Sequence, residues 1–168
     1  MIGQSGLFDR LRVSLKQQQL DGFVGERCLC SYPVSTARNG PGERQGSGCT
    51  PRGWHRIRAK IGAHAPAGTV FVGRRPTGEI YDAELAARWP ERDWILTRIL
   101  WLGGMQPGFN RYRDVDTTWR YIYIHGSPDH GVLNGPQSHG CVRMRSADLI
   151  DLFDRVAIGT RVLIEEHD

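Results

Sequence analysis

Short stretches in which apolar and polar residues alternate recur along the chain, separated by turns rich in glycine, proline and asparagine. Such alternation predicts half-buried β-strands, because successive side chains of a strand point to opposite faces of a sheet. One stretch is almost continuously apolar, which predicts a strand that is covered on both faces. The predicted strands cover residues 11–16, 22–25, 27–35, 54–61, 69–73, 78–82, 94–102 (the apolar one), 119–124 and 160–165.

Two stretches have helical features instead. Residues 83–89 have the composition of a short helix, which Pro90 ends. Residues 146–156 repeat apolar residues at helical spacing, and Ser146 is predicted to be the N-cap. Many strands with two short helices predict a mainly β sandwich or barrel, in a single domain that covers residues 1–168.

Two longer segments, residues 37–49 and 103–116, contain too many glycines and polar residues to form regular helices or strands. The first is predicted to be a mobile surface loop, and its sequence does not show whether it borders a site. Trp94, Trp101 and Trp119 are predicted to be core or cleft-wall residues before they are ligand-stacking ones.

Composition narrows the classes of ligand. At 168 residues, with 39 % hydrophobic and 24 % charged residues, the chain can bury a core without disulfides or metal. The net charge is +4, and of the 22 basic residues only Lys16 and Lys60 are lysine. Arginine binds carboxylates in a bidentate way, which fits an acidic peptide, although codon usage in a GC-rich genome explains the same composition. No segment combines concentrated positive charge with interleaved aromatic residues, so nucleic acid is not an expected partner.

The N-terminal residues predict a location. Residues 1–10 contain no basic region followed by an apolar run, and no later stretch approaches the length of a membrane span. We therefore expect a cytoplasmic protein that does not bind membranes. A periplasmic location is the alternative if the sequence lacks a natural leader.

The four cysteines do not have the spacing of a zinc site, because one residue separates Cys28 from Cys30 and no second pair follows. Cys28 and Cys30 are predicted to be small buried residues, and a disulfide from Cys49 to either requires an oxidising compartment. No metal and no cofactor are expected.

The candidate chemistry lies after residue 124. His125 and Gly126 follow the predicted strand 119–124, which places His125 at a strand end, and Cys141 lies in the motif Ser-His-Gly-Cys-Val-Arg at residues 138–143. The imidazoles of His125 and His139 and the guanidinium of Arg143 are expected to lower the pKa of the Cys141 thiol. The implied chemistry is attack of the sulfur on a carbonyl, which gives a thioester.

Gly140 precedes the cysteine and permits a tight turn or a positive φ. Such a turn is expected to point backbone N–H groups at one place in front of the sulfur, where they form an oxyanion hole. The alternative is that Cys141 is a buried, unreactive thiol with a structural role. The two nearby histidines argue against it, because reactive thiols lie in such basic surroundings.

A metal site is a second alternative at the same place, since His125, Asp129, His130, His139 and Cys141 are all possible ligands. The chain lacks a His-Glu-x-x-His motif and paired Cys-x-x-Cys motifs. A metal site is therefore not the preferred interpretation.

These motifs resemble the L,D-transpeptidase catalytic domain, also called the YkuD-type domain. Its signature is His-Gly, a loop, and then Ser/Thr-His-Gly-Cys with Arg or Asn shortly after, which matches residues 125–126 and 138–143. Residues 32–36, 50–54 and 159–164 are also similar, so the resemblance covers about residues 25–165. It implies a YkuD-type β-sandwich or barrel with one or two short helices.

The resemblance also implies roles for the site residues. Cys141 would be the nucleophile, and His125 the general base, with its second ring nitrogen oriented by a backbone carbonyl such as that of Gly126. Arg143 would either bind a substrate carboxylate or form a salt bridge that supports the turn. Three further residues would shape the turn or the oxyanion hole: Ser138 through its hydroxyl, and His139 and Gly140 through backbone donors shared with Cys141.

The implied substrate is a peptidoglycan stem peptide, attacked at the carbonyl between meso-diaminopimelate and a terminal D-Ala. A cytoplasmic location favours water as the acceptor of the acyl group, and hence an L,D-carboxypeptidase that trims tetrapeptides in cell-wall recycling. One alternative is an L,D-transpeptidase that passes the acyl group to an amine. The other is a non-catalytic module that binds murein peptides, and trapping of the thioester by a carbapenem would distinguish a catalyst from it.

Overall fold

The computed structural model describes residues 6–167, so the predictions for residues 1–5 lie outside the described residues. The predicted mainly β fold class is confirmed. The strands are β1 (Arg10–Ser14), β2 (Gln19–Val24), β3 (Arg27–Ser35), β4 (Gly53–Ile61), β5 (Thr69–Val72), β6 (Arg75–Ile80), β7 (Leu96–Gly104), β8 (Tyr123–Ser127), β9 (Val142–Arg145) and β10 (Arg161–Glu165), and the helices are α1 (Ala83–Arg88) and α2 (Ser146–Asp154).

The strands form one sheet that closes on itself. Its order is β4-β10-β1-β2-β3-β9-β8-β7-β5-β6, and β4 also pairs with β7 in antiparallel register from His55 opposite Gly104 to Ile61 opposite Ile99. This pairing closes eight of the strands into a barrel, and the β5–β6 hairpin extends the sheet beyond β7. The β1–β10 and β8–β9 pairs are parallel.

Helix α2 covers one side of the barrel. Its apolar residues Leu149, Leu152 and Phe153 are buried in the main core, together with side chains of β4, β7, β8 and β9. The Lys60 ammonium on β4 donates to the carbonyls of Phe153 and Val156, each at 2.7 Å. A cation at these carbonyls satisfies acceptors that the helix leaves unpaired at its C-terminal end.

The strand predicted at residues 119–124 is placed wrongly. Strand β8 begins at Tyr123, because the preceding residues turn and Tyr121 has a positive φ of 56°. His125 therefore lies in the middle of a strand and not at its end. The next strand, β9, was not predicted from the sequence. It has only four residues and lies directly between a turn and α2, so the alternation is too short to recognise.

Two smaller predictions also fail. Ser146 does not cap α2: the N-cap is Arg145, and the Ser146 hydroxyl lies 2.6 Å from that of Thr97 on β7. Cys28 is exposed, while Cys30 is partly buried against the main core. Strand β3 has its exposed half at this point, so alternation alone was a poor guide to burial there.

Candidate active site

The parallel pair of β8 and β9 brings the two parts of the motif together. His125 on β8 is the register partner of Arg143 on β9, and Cys141 immediately precedes β9. Alternate residues of a strand share a face, so Tyr123 and His125 face the same side as Cys141 and Arg143. These four residues line a cleft of about 460 Å³, with Asp93, Arg120, Tyr121 and His139 among its other lining residues.

His125 is held in one orientation. Its side chain is buried, and Nδ1 lies 2.7 Å from the carbonyl oxygen of Gly126. Because a carbonyl only accepts, Nδ1 carries the proton, and Nε2 keeps a lone pair that can receive one. Burial lowers the pKa of His125 below its ordinary value, so the imidazole is neutral at pH 7. The hydrogen bond expected from the sequence is present, and the role of general base stays a prediction.

The Cys141 thiol is partly buried and makes two contacts with backbone. The Tyr123 N–H donates to Sγ at 3.3 Å, and the thiol donates to the Tyr121 carbonyl at 3.4 Å. Burial raises the pKa of this thiol to about 11 and outweighs the opposite effects of the Tyr123 N–H and of Arg143 and Arg120. The expectation of a lowered pKa is therefore wrong, because desolvation destabilises the thiolate more than the nearby cations stabilise it.

The turn before the nucleophile is held by Ser138. Its hydroxyl donates to the Cys141 carbonyl at 2.6 Å and accepts from the Gly140 N–H at 3.1 Å. Gly140 has a φ of 139°, and a Cβ there would lie 2.9 Å from Ile122 Cδ1. The Gly140 N–H is already hydrogen-bonded inside the turn, and its role in the oxyanion hole stays a prediction. The remaining predicted backbone donors are those of His139 and Cys141.

Arg143 forms an ion pair across the cleft wall. Its Nη2 lies 2.9 Å from Asp93 Oδ1, on the segment that precedes β7, and its Nε is buried without a hydrogen-bond partner. The salt bridge thus joins β9 to a neighbouring segment and does not support the turn itself. The guanidinium also lines the cleft, so the alternative of binding a substrate carboxylate stays a prediction.

Three residues that sequence reasoning missed position the site. Asp93 is the partner of Arg143. The Thr50 hydroxyl donates to the Gly140 carbonyl at 2.8 Å and accepts from the Ala37 N–H at 3.0 Å. Arg120 donates to the Cys49 carbonyl at 2.6 Å. The segment 37–49 therefore borders the nucleophile turn and is tied to it. The only signal for this was that Thr50 lies in a segment similar to the family.

The residues considered for a metal site do not converge. His130 is exposed on the rim of a neighbouring cavity of about 360 Å³ and does not line the cleft of Cys141. Among residues 6–167, no group of three or more His, Cys, Asp and Glu side chains is placed to hold a metal ion.

Over the same residues, no helix has both the length and the apolar character needed to cross a membrane.

Comparison with known proteins agrees with this geometry. The profile of one family, YkuD, L,D-transpeptidase catalytic domain, matches residues 9–164. The resemblance inferred from the motifs is thereby confirmed. Among curated proteins, none matches the chain significantly.

Several solved structures with the same fold are L,D-transpeptidases. One from Xylanimonas cellulosilytica is 20 % identical with a TM-score of 0.55 over 98 % of this chain and 63 % of its own. One from Mycobacterium smegmatis is 18 % identical with a TM-score of 0.54 over 92 % and 57 %. The LD transpeptidase LdtMt1 in complex with imipenem is 16 % identical with a TM-score of 0.55 over 92 % and 57 %. The chain thus spans about three fifths of the length of these chains.

Proposed function

Since this chain belongs to the L,D-transpeptidase catalytic-domain family, we propose that it is a cysteine-dependent L,D-carboxypeptidase. It would remove the terminal D-Ala from peptidoglycan tetrapeptides by cleaving the bond that follows meso-diaminopimelate. The observation that carries the proposal is the position of His125. It is buried, its Nδ1 is hydrogen-bonded to the Gly126 carbonyl, and its side chain lies on the same face of the sheet as that of Cys141.

The reaction follows from these two groups. Cys141 Sγ attacks the scissile carbonyl while His125 Nε2 takes the thiol proton, and the sulfur–carbon bond forms as the peptide bond breaks. His125 then gives that proton to the leaving amine of D-Ala. Water attacks the thioester with His125 again as the base, which releases the tripeptide and restores the thiol.

The charge of the cleft supports water as the acceptor. Arg74 and Arg120 line the cleft without an acidic partner among residues 6–167, whereas Arg143 and Asp93 are paired with each other. Such a surface attracts the carboxylates of a stem peptide. It also repels an incoming ammonium, which is the main form of an amine acceptor at pH 7, but it does not repel neutral water.

One observation favours amine transfer as the second candidate function. The 360 Å³ cavity and the catalytic cleft share Asp93, His139 and Arg143, so space continues past the nucleophile on a second side. A second stem peptide or a D-amino acid could approach the thioester from there. Transfer to it would make the protein an L,D-transpeptidase.

We also propose a cytoplasmic location, with recycled tetrapeptides as the substrate. The free thiols of the chain include the exposed Cys28, and exposed thiols persist in reducing compartments. Cell fractionation with an antibody tests the location, and recovery from the periplasm would contradict it.

Product analysis tests the reaction. Wild-type protein and a Cys141→Ala control are incubated with tetrapeptide, with and without a D-amino acid, and the products are identified by mass spectrometry. Tripeptide as the sole product in both mixtures supports the carboxypeptidase. Exchanged or cross-linked peptides support the transpeptidase, and tetrapeptide left intact by the wild type contradicts both and favours a binding module.

A further inference from the structure

An aromatic and arginine-rich surface lies beside the cleft, and the proposed reaction does not use it. We call it the Trp119 surface. Its rings are Trp101, Tyr112, Trp119 and Tyr121, and its cations are Arg56, Arg58, Arg111 and Arg161.

The rings of this surface lead away from the nucleophile. The Tyr121 carbonyl accepts the hydrogen bond of the Cys141 thiol, and the Tyr121 ring lies 6.2 Å from that of Trp101. The Trp101 ring lies 6.3 Å from that of Trp119, which is 56 % exposed. Trp119 was predicted to be a core or cleft-wall residue; it is exposed instead and lines two neighbouring cavities but not the cleft of Cys141.

The arginines of the Trp119 surface are not balanced by acids. Arg56 on β4 is the register partner of Arg161 on β10, and like charges directly opposite in a sheet are destabilising. Within residues 6–167, neither of these, nor Arg58 or Arg111, has a carboxylate within ion-pair distance. Arg58 stacks on the rings of Trp101 and Trp119 at 4.5 and 5.3 Å, and Arg111 stacks on the ring of Tyr112 at 4.7 Å. Stacking leaves the N–H edges of these guanidinium groups without an acidic partner, so the cluster can bind an anionic ligand.

A cavity of about 230 Å³ lies among these side chains. Arg56, Arg58 and Arg111 line it together with Tyr112 and Trp119, and Gly103 and Gly104 of β7 leave its floor without side chains. The carboxylate of Asp116 also lies here, but it accepts N–H groups of the backbone at Tyr112, Thr118 and Trp119. The cavity thus offers guanidinium groups to one ligand, together with the part of the two rings that the arginines leave uncovered, since Trp119 is 56 % and Tyr112 52 % exposed.

We propose that the Trp119 surface binds a nucleoside diphosphate, so that the preferred substrate is a tetrapeptide still linked to its nucleotide sugar. The proposal rests on the function proposed above. A planar base stacks on Trp119 or Tyr112, and guanidinium groups bind the two phosphates. An uncharged disaccharide would leave the arginines unpaired, which is why the nucleotide-linked form is favoured.

The length of the substrate fits the arrangement. The scissile carbonyl and the N-terminal end of the stem peptide are separated by three residues, which span about 10 Å when extended. The sugar and the diphosphate follow beyond that point. Two ring contacts of 6.2 and 6.3 Å lead from Tyr121, at the sulfur, to Trp119. The peptide alone therefore covers the path from Tyr121 to Trp119. The sugar and the diphosphate extend past it towards Arg56 and Arg161, on the strands β4 and β10 that follow β7, and the base folds back onto Trp119 or Tyr112.

Calorimetry with Cys141→Ala protein tests the proposal without turnover. Its ligands are a uridine diphosphate-linked muramyl tetrapeptide, the same muramyl tetrapeptide without the nucleotide, and inorganic pyrophosphate. The nucleotide-linked form should bind roughly 10- to 100-fold more tightly than the form without it, as expected for charge-assisted hydrogen bonds. Arg58→Gln should remove most of this difference, and Trp119→Ala should weaken the nucleotide-linked ligand but not pyrophosphate.

Arg27→Gln is the matched control, because Arg27 is also an exposed arginine on a strand but lies on β3. Equal affinities for the two tetrapeptides, or equal losses in Arg58→Gln and Arg27→Gln, would overturn the inference. Release of D-Ala from free tetrapeptide by the wild type is measured in parallel. Its failure contradicts the proposed function, whereas hydrolysis without any preference for the nucleotide contradicts only this inference.

Discussion

At the residue scale, Cys141 and His125 are both neutral before the substrate binds. Burial raises the pKa of the thiol to about 11 and lowers the pKa of the imidazole. We therefore expect no thiolate–imidazolium pair at rest, and we expect the proton to leave Sγ as the carbonyl is attacked. The fixed tautomer of His125 matters for this reason, since it keeps Nε2 ready as the acceptor.

The pH dependence of kcat/KM follows from the same two groups. Protonation of His125 removes the base, and burial lowers its pKa, so the acidic limb of the profile should be centred below pH 6.5. We expect no loss on the alkaline side until the pH approaches 11. Initial rates of D-Ala release across this range give the profile. An acidic limb centred above pH 6.5 would contradict the neutral-pair account.

At the scale of elements, the site depends on segments that are distant in sequence. His125 lies on β8 and Cys141 immediately precedes β9, and the segment 37–49 is joined to the nucleophile turn through Thr50. The parallel pairing of β8 with β9 brings the proposed catalytic pair, His125 and Cys141, to one face of the sheet. A hydrogen bond from a loop then fixes the turn.

Thr50→Val should disturb this turn without changing side-chain volume much. It leaves the Gly140 carbonyl and the Ala37 N–H without their partner, which costs about 1–3 kcal/mol per buried group. We expect a lower free energy of unfolding and a fall in kcat that exceeds any change in KM. Thr50→Ser keeps the hydroxyl and should stay near wild type. Equal kcat values for the valine and serine variants would argue against a positioning role.

His55 joins β4 to the segment before β8. It is fully buried, with Nδ1 3.0 Å from the Gly53 carbonyl and Nε2 3.0 Å from the Thr117 hydroxyl. Burial lowers its pKa to about 4. Between pH 6.5 and 4, His55 is therefore protonated in the unfolded chain but neutral in the folded chain. Stability should therefore fall as the pH drops through this window, by up to about 3 kcal/mol from this residue.

Urea denaturation at several pH values measures that effect. In a His55→Gln variant, the free energy of unfolding should change less between pH 6.5 and 4 than in the wild type. Identical slopes in the two proteins would show that other groups cause the acid sensitivity.

The sequence predicted the elements better than it predicted their contacts. Alternation located β3 and β4 closely and failed at β8, because Tyr121 adopts a positive φ that no pattern marks. The motif identified Cys141, His125 and Ser138. It could not reveal Asp93 or Arg120, because ion pairs and loop contacts between distant segments leave no periodic signal. The direction of the thiol pKa also depended on burial, which local sequence does not give.

At the scale of the whole molecule, closure of the barrel connects the site to the core. Ile57 lies on β4 at the closing pair with β7, is fully buried, and belongs to the same core cluster as Ile124 of β8 and Val142 of β9. The closing pair of strands therefore packs in one core with the strands that hold His125 and Arg143.

Ile57→Ala should lower the free energy of unfolding by about 2–5 kcal/mol, as other large-to-small changes in cores do. Because one core cluster spans the barrel, thermal unfolding should remain a single transition at a lower temperature. Circular dichroism and thiol accessibility should report the same midpoint. Two separate transitions would contradict the view of one cooperative barrel.

The central claim is that Cys141 forms a thioester with the substrate, and intact-protein mass spectrometry tests it most directly. Protein mixed with tetrapeptide is quenched with acid at short times, and D-Ala release is measured in the same samples. We predict a mass increase equal to the tripeptide acyl group, located on Cys141 and absent from Cys141→Ala, with one D-Ala released per adduct formed. Turnover by Cys141→Ala, or an adduct on another residue during turnover, would contradict the account.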